Sequence, residues 1–159
     1  MSKFTLGKGS LKKLEGVDPR LVQLANLAIK KTKQDFTVTY GLRTKEEQAE
    51  LFKKGFTKTL NSRHLTGHAI DVAAWHGGKI DYDYERMYLI AQGFREAAEE
   101  LDLNIRWGGC WSNLRSLKTV DQMKACVDRY IKSKQYRDAK GKLRSSALVD
   151  MPHFEIPRS

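Results

Sequence analysis

Ser62-Arg63-His64-Leu65-Thr66-Gly67-His68-Ala69-Ile70-Asp71 and, far downstream, Asp150-Met151-Pro152-His153-Phe154-Glu155 decide how this chain is read. His64, Asp71 and His153 offer two imidazoles and a carboxylate, a chemically sensible set for zinc. Three protein ligands leave one tetrahedral position open, which separates catalytic zinc sites from closed structural ones. Asp150, three residues before His153, is a carboxylate placed to act as general base toward water. For these side chains to meet, the strand carrying Asp71 must neighbour the strand carrying His153. Spacing alone leaves the ordinary alternative open, because a histidine is more often a solvated or core residue than a ligand. His68 follows His64 by four, the spacing of a helical zinc pair. Leu65 stands where that motif needs glutamate, however, and Gly67 opposes a continuous helix. His68 is therefore expected to line the cleft, and His76 to be solvated.

Outward from these stretches the periodicity alternates between helix and strand. Asp18-Pro19 reads as a cap and first helical turn, and Leu21, Leu24, Ala25 and Ala28 carry a helix over 19–32. Phe36, Val38 and Tyr40 alternate with Thr37 and Thr39 as a half-buried strand ended by Gly41. Thr44 and Glu47 form a capping-box pattern opening a second helix that Gly55 closes, so Arg43 falls at a strand-to-helix junction. Residues 56–67 read as a loop, Ala69 to Ala73 as a buried strand, and Gly77-Gly78 as a turn. Met87, Ile90, Ala91, Phe94, Ala97, Ala98 and Leu101 line one face of a helix over 83–101. A short strand at Ile105-Arg106-Trp107 ends at Gly108-Gly109. A helix over 119–137, a basic loop over 132–145 and a last strand from Val149 to Ile156 complete the pattern. These elements predict one α+β domain over 1–159, a small mainly antiparallel sheet packed with helices, with the zinc site in a cleft at the sheet. Residues 112–146 are a basic, insertion-like segment within it. Asp81 and Asp83, two acids in a turn, read as solvated and not as a calcium loop.

A chain of 159 residues can bury roughly two-thirds of its unfolded surface and needs no disulfide to fold. Cys110 and Cys126 match no common zinc module and are expected as two thiols, with a disulfide as the alternative. The net charge of +10 implies attraction to a polyanion: nucleic acid, anionic membrane or cell-wall polymer. Nucleic acid is the poorest of these, since no recognition module and no aromatic stacking platform accompanies the charge. The stretch Met1 to Ser10 lacks the apolar core of a secretory signal, and no apolar run is long enough to span a bilayer. A soluble chain made in the cytoplasm is expected.

The pattern S-x-H-x-x-G-x-A-x-D, here Ser62 to Asp71, followed by a distal D/E-x-x-H, here Asp150 to His153, resembles the signature of the VanY-type zinc peptidases. That group includes D-alanyl-D-alanine carboxypeptidases and dipeptidases and phage L-alanyl-D-glutamate endopeptidases. Tyr40-Gly41-Leu42-Arg43-Thr44 is similar to the family's arginine-threonine turn. Trp107-Gly108-Gly109 with Trp111, and Pro152-His153-Phe154-Glu155, resemble two further stretches. The resemblance spans about residues 18–157. It implies zinc on His64, Asp71 and His153, Asp150 as catalytic base, and Arg43 as the cation that steadies the substrate carbonyl or the oxyanion. Ser62, Arg43 and Trp111 are the implied substrate contacts. Cys110 departs from the pattern, because many relatives carry an acid there. The implied protein is a monomeric peptidoglycan endopeptidase of the phage endolysin kind. It would hydrolyse the L-alanyl-D-glutamate bond of the stem peptide, with a D-alanyl-D-alanine carboxypeptidase or dipeptidase as the alternative. It would wait in the host cytoplasm until the membrane is breached and then act on the wall. Its partners are the stem peptide and the anionic envelope, with no nucleic acid and no integral membrane segment.

Overall fold

The structure, a computed structural model, describes residues 4–57 and 59–158. Residues 1–3 of the amino-terminal stretch read above, Lys58 in the expected 56–67 loop, and Ser159 lie outside the described residues. In chain order the elements are α1 (Lys8–Lys13), α2 (Pro19–Lys31), β1 (Phe36–Tyr40), α3 (Lys45–Lys53), β2 (Ala69–His76), β3 (Lys79–Asp81), α4 (Tyr84–Leu101) and β4 (Arg106–Trp107). Then follow β5 (Ser112–Asn113), α5 (Val120–Ser133), β6 (Gln135–Arg137), β7 (Leu143–Ser145) and β8 (His153–Glu155). The main sheet runs β1-β2-β8-β4-β5, with β3 added to β2, and every pairing is antiparallel. This is the α+β architecture expected from the sequence.

Alternation along the strands sorts the side chains between two faces. Ile70, Val72 and Ala74 of β2, Phe154 of β8 and Trp107 of β4 join the core beneath α2 and α4. Phe94 of α4 stacks on Phe154 with ring centroids 4.1 Å apart. The intervening positions, Asp71, His153, Glu155 and Arg106, fall on the opposite face. Tyr40 would belong with Phe36 and Val38 on the core side. A register irregularity between Val38 and Tyr40 instead sets it opposite Asp71, a typical use of a bulge beside a functional surface.

The helices begin where the caps require. Asp18 accepts the Arg20 amide, Thr44 and Glu47 close a reciprocal capping box, and Asp83 accepts the Arg86 amide. Asp81 Oδ1 accepts the Asp83 amide and Oδ2 lies 3.3 Å from Arg86, so this acidic pair organises the start of α4.

Several elements differ from expectation. The six-residue α1 carries too few apolar positions to announce itself. Residues Arg63–Thr66 of the expected loop form a 3-10 turn, and β2 runs on to His76 because β3 pairs with it through the Gly77-Gly78 turn. The helix expected to 137 stops at Ser133, and 135–137 pair with 143–145 as a hairpin in place of a loop. Asp138 nucleates that hairpin by accepting the amides of Lys140 and Lys142. The last strand shrinks to β8 because Pro152 has no amide to donate, and Asp150 to Pro152 turn instead. Within 112–146, Leu114, Met123, Cys126 and Val127 are core residues; the exposed part is the hairpin region. Cys110 and Cys126 are free thiols turned toward each other, and burial followed by the neighbouring sulfur pushes the Cys110 thiol up to about 12.

Trp107-Gly108-Gly109 has a positional explanation. Trp107 is fully buried and its indole donates to the Met151 carbonyl at 3.0 Å. The Gly108 amide donates to the His153 carbonyl, and its own carbonyl accepts from the Asp150 amide, each at 2.9 Å. A Cβ on Gly108 would collide with the Asp150 carbonyl oxygen and lie 2.9 Å from His153 Cβ. Gly108→Ala should therefore lower stability in urea unfolding by about 1–3 kcal/mol, the usual range for overpacking. Gly9→Ala, with no neighbour within 4 Å of the new methyl, should cost less.

Candidate metal centre and its cleft

His64 sits on the 3-10 turn that Ser62 caps, its amide donating to Ser62 Oγ at 3.2 Å. Gly67 closes the turn at φ 73°, a left-handed conformation that glycine adopts without strain. The ring is buried, and Nδ1 lies 2.9 Å from the Gly41 carbonyl oxygen. That carbonyl can only accept, so Nδ1 donates to it, and Nε2 is the ring nitrogen left to face the cleft. Nε2 is buried without a hydrogen-bond partner, yet it lies 3.2 Å from Asp71 Oδ1. A buried ring nitrogen without a hydrogen-bond partner, this close to a carboxylate, is a pair of donor atoms that one cation can bind together.

Asp71 and His153 are directly opposed across β2 and β8. Asp71 Oδ1 lies 3.0 Å from His153 Nδ1, and His153 Nε2 lies 2.7 Å from Glu155 Oε1. One ligand atom from each of His64, Asp71 and His153 can be chosen so that all lie within 4.8 Å of one another. The donor set of two imidazoles and a carboxylate fits a divalent metal, with Glu155 fixing the second nitrogen of His153. Burial alone would pull the His153 imidazolium down, but hydrogen bonds to Asp71 and Glu155 outweigh it and lift it to about 10. Burial likewise raises the Asp71 carboxyl, and the two histidines more than reverse this, holding it well below the usual carboxylate range.

Asp150 occupies the turn before β8, its Oδ2 4.0 Å from His153 Nδ1. Burial, then the charge of Asp71, pushes its carboxyl up to about 6. Arg43 is 8% exposed; Nη1 donates to Gln48 Oε1 at 2.7 Å, its guanidinium lies over the Tyr40 ring, and Nε has no partner. Gln48 is itself held by the Thr59 carbonyl at 2.6 Å. Trp111 adopts φ 58°, uncommon for a bulky residue, and its indole donates to the Leu148 carbonyl. Its ring lies 5.4 Å from that of His153, with the Arg106 guanidinium on it at 5.0 Å.

Seven residues singled out in the sequence, His64, Asp71, His153, Asp150, Arg43, Ser62 and Trp111, line one cleft of about 730 Å³. His68 does not. Its Nδ1 lies 2.6 Å from Thr66 Oγ1, and it lines a separate hollow because Gly67 turns the chain between the two histidines. Cys110 is also turned away, into the core beside Cys126, so this position offers the cleft nothing. Glu155 was not singled out, although its signal was available: two residues from His153 on a strand places it on the same face. Arg63, Arg106 and Arg158 join through long-range packing that local spacing does not encode, while Gln48 supports Arg43 from the neighbouring helix.

The sequence profile of the phage L-alanyl-D-glutamate peptidase family matches residues 1–131, which include His64 and Asp71. The chain is 37% identical over 113 residues to the L-alanyl-D-glutamate peptidase of Escherichia phage T5, covering 69% of this chain and 82% of that protein. It is 35% identical over 71 residues to the enzyme of the same name from Listeria phage A118, covering 45% of this chain and 24% of the relative. A crystal structure of an L-Ala D-Glu endopeptidase from Serratia marcescens superposes with a TM-score of 0.71 at 30% identity, over 98% of this chain and 91% of that one. On these matches, the chain belongs to the phage L-alanyl-D-glutamate peptidase family.

Proposed function

We propose that the protein is a zinc-dependent peptidoglycan endopeptidase of the endolysin type, cleaving the L-alanyl-D-glutamate bond of the stem peptide. The observation that carries this reading is the buried His64 Nε2, without a hydrogen-bond partner, gathered with Asp71 and His153 within a peptide-sized cleft. His64 Nε2, Asp71 and His153 Nδ1 would hold the ion. Bound zinc supplies a Lewis acid that acidifies water and polarises a carbonyl. Asp150 takes the proton of the attacking water and returns it to the leaving amine, a task suited by a carboxyl poised near about 6. Arg43, always charged and with Nε free, stabilises the negative charge that develops on the carbonyl oxygen. Ser62 positions the His64 turn and keeps its hydroxyl proton available to substrate, while Trp111 walls the cleft.

The +10 charge serves attraction to the anionic envelope. Arg115, Lys124, Lys132 and Arg144 are engaged in ion pairs. Arg137, Lys140 and Lys142 are not among the ion pairs of the described residues and lie on the exposed β6–β7 hairpin with Tyr136 and Leu143. That hairpin is the surface to meet the envelope. The protein acts as a monomer, made in the host cytoplasm and reaching the wall once the membrane is breached. Among the described residues no helix is long and apolar enough to cross a membrane.

Digestion of purified peptidoglycan with and without a chelator tests the activity. New alanyl and glutamyl termini that vanish on chelation are expected; loss of a single terminal alanine would identify a carboxypeptidase instead. His153→Ala should lose both metal and turnover, whereas Asp150→Asn should keep about one zinc per chain and lose about 10²–10⁴-fold in kcat. Normal hydrolysis by the Asp150 variant would remove it as the base. A pH dependence follows for metal uptake. His153, protonated below about 10 in the metal-free protein, must give up its Nδ1 proton to bind. Titration calorimetry in buffers of different ionisation enthalpy should therefore show release of about one proton, with affinity rising as pH rises from 6 to 8. Finally, neutralising Arg137, Lys140 and Lys142 should mimic high salt by slowing lysis of envelope-stripped cells. Cleavage of a small soluble peptide should change little, since exposed charge is screened over about 8 Å at physiological salt.

A further inference from the structure

Five cations, Arg43, Lys54, Arg63, Arg106 and Arg158, line the cleft against three carboxylates, so it attracts anions even before a metal is added. The cations are not equivalent. Arg106 lies 3.7 Å from Glu155, and Arg43 stands over Tyr40 in the catalytic corner. Arg63 and Arg158 form no ion pair among the described residues, and both donate only to backbone carbonyls. Arg63 is fixed by two bonds to the Ile156 oxygen, at 3.2 and 2.7 Å from Nε and Nη2. Arg158 Nη2 reaches the Asn61 oxygen at 3.4 Å. A carbonyl orients a guanidinium without neutralising it, so two full charges stand ready for an anionic ligand.

Their place in the molecule narrows what that ligand is. Arg63 directly precedes His64 and lines the same cleft as His64, Asp71 and His153. Arg63 and Arg158 also line the second hollow of about 520 Å³, which Arg20 and His68 complete. They therefore form the wall that the catalytic cleft shares with a flanking cationic hollow. Arg20 in that hollow is already paired with Asp18 at 2.9 Å, which leaves the two shared arginines as its uncompensated charge.

Substrate chemistry supplies the match. In an alanyl-glutamyl bond the alanyl side carries no ionisable side chain. The glutamyl residue has two carboxyl groups, of which at most one continues the chain, so at least one stays free beside the leaving amine. We infer that Arg63 and Arg158 form the carboxylate subsite that reads the glutamyl residue on the leaving side of the scissile bond. This inference rests on the L-alanyl-D-glutamate reading. It gives the enzyme a charge criterion for the residue after alanine, separate from the metal that acts on the bond itself.

Two soluble peptides test it, identical except that the free glutamyl carboxyl of one is a primary amide in the other. Steady-state kinetics are measured for the zinc-loaded wild-type protein, Arg158→Gln, Arg63→Gln and the double variant. The wild type should prefer the carboxylate peptide by about tenfold to a hundredfold in kcat/KM, the range of a hydrogen bond to a charged group, expressed mainly in KM. Each single variant should shrink that preference, and the double variant should bring it near parity. Competitive inhibition by the glutamyl product should weaken in the same order. If Arg63→Gln fails to fold because it loses the Ile156 bonds, Arg158→Gln and its inhibition constant carry the test. A wild type that cleaves both peptides equally overturns the subsite, as does a preference unchanged in Arg158→Gln. A wild type that cleaves neither but trims D-alanyl-D-alanine termini overturns the function reading, and the subsite with it.

Discussion

The antiparallel pairing of β2 with β8 is the constraint on which the rest depends. It opposes Asp71 to His153, and with the same register it sends Ile70 and Phe154 into the core. A slip of one residue would exchange the faces, burying a carboxylate and an imidazole and exposing the aromatic that stacks on Phe94. The packing of the core thus enforces the geometry of the centre. Around this pair the other contributors are tied by backbone bonds: the Gly108 clamp on Asp150 and His153, and the Arg43 amide on the His64 carbonyl.

The centre itself is held under electrostatic tension. A buried imidazole nitrogen without a hydrogen-bond partner lies 3.2 Å from a carboxylate, and a second imidazole is squeezed between two acids. Such a set costs folding free energy when its charges are unbalanced. The hydrophobic sheet face and the two helices packed on it offset that cost. Burial and neighbouring charge set two adjacent carboxylates apart, Asp150 raised to about 6 and Asp71 held well below the usual carboxylate range.

Much of this was legible in the sequence, for identifiable reasons. The grouping of His64, Asp71 and His153 as candidate ligands was legible because their residue types and order are restrictive. The Thr44 and Glu47 box and the apolar stripe of α4 were legible because each is a local code. The helix expected to run to 137 failed because Lys132-Ser133-Lys134 is equally polar in a helix or a hairpin, and only cross-strand pairing with 143–145 decides. Pro152 shortened the last strand by removing a ladder donor. His68 was misplaced because a single left-handed residue, Gly67, sends two histidines four apart into different hollows. Arg63 and Arg158 lie 95 positions apart in the chain, and no local pattern joins them.

The place of β8 in the sheet has a consequence for assembly in time. It lies between β2 and β4, both of which precede it in the chain. Until β8 inserts, the sheet has a gap at its centre with two unsatisfied edges, the kind of surface that recruits strands from other molecules. Insertion would place Phe154 and His153 at the same time, so the core and the candidate ligand set would form together. Partly folded chains would then lack the reactive centre. Quality control and catalytic competence would be governed by the same final event, closing a loop of roughly eighty residues between Asp71 and His153.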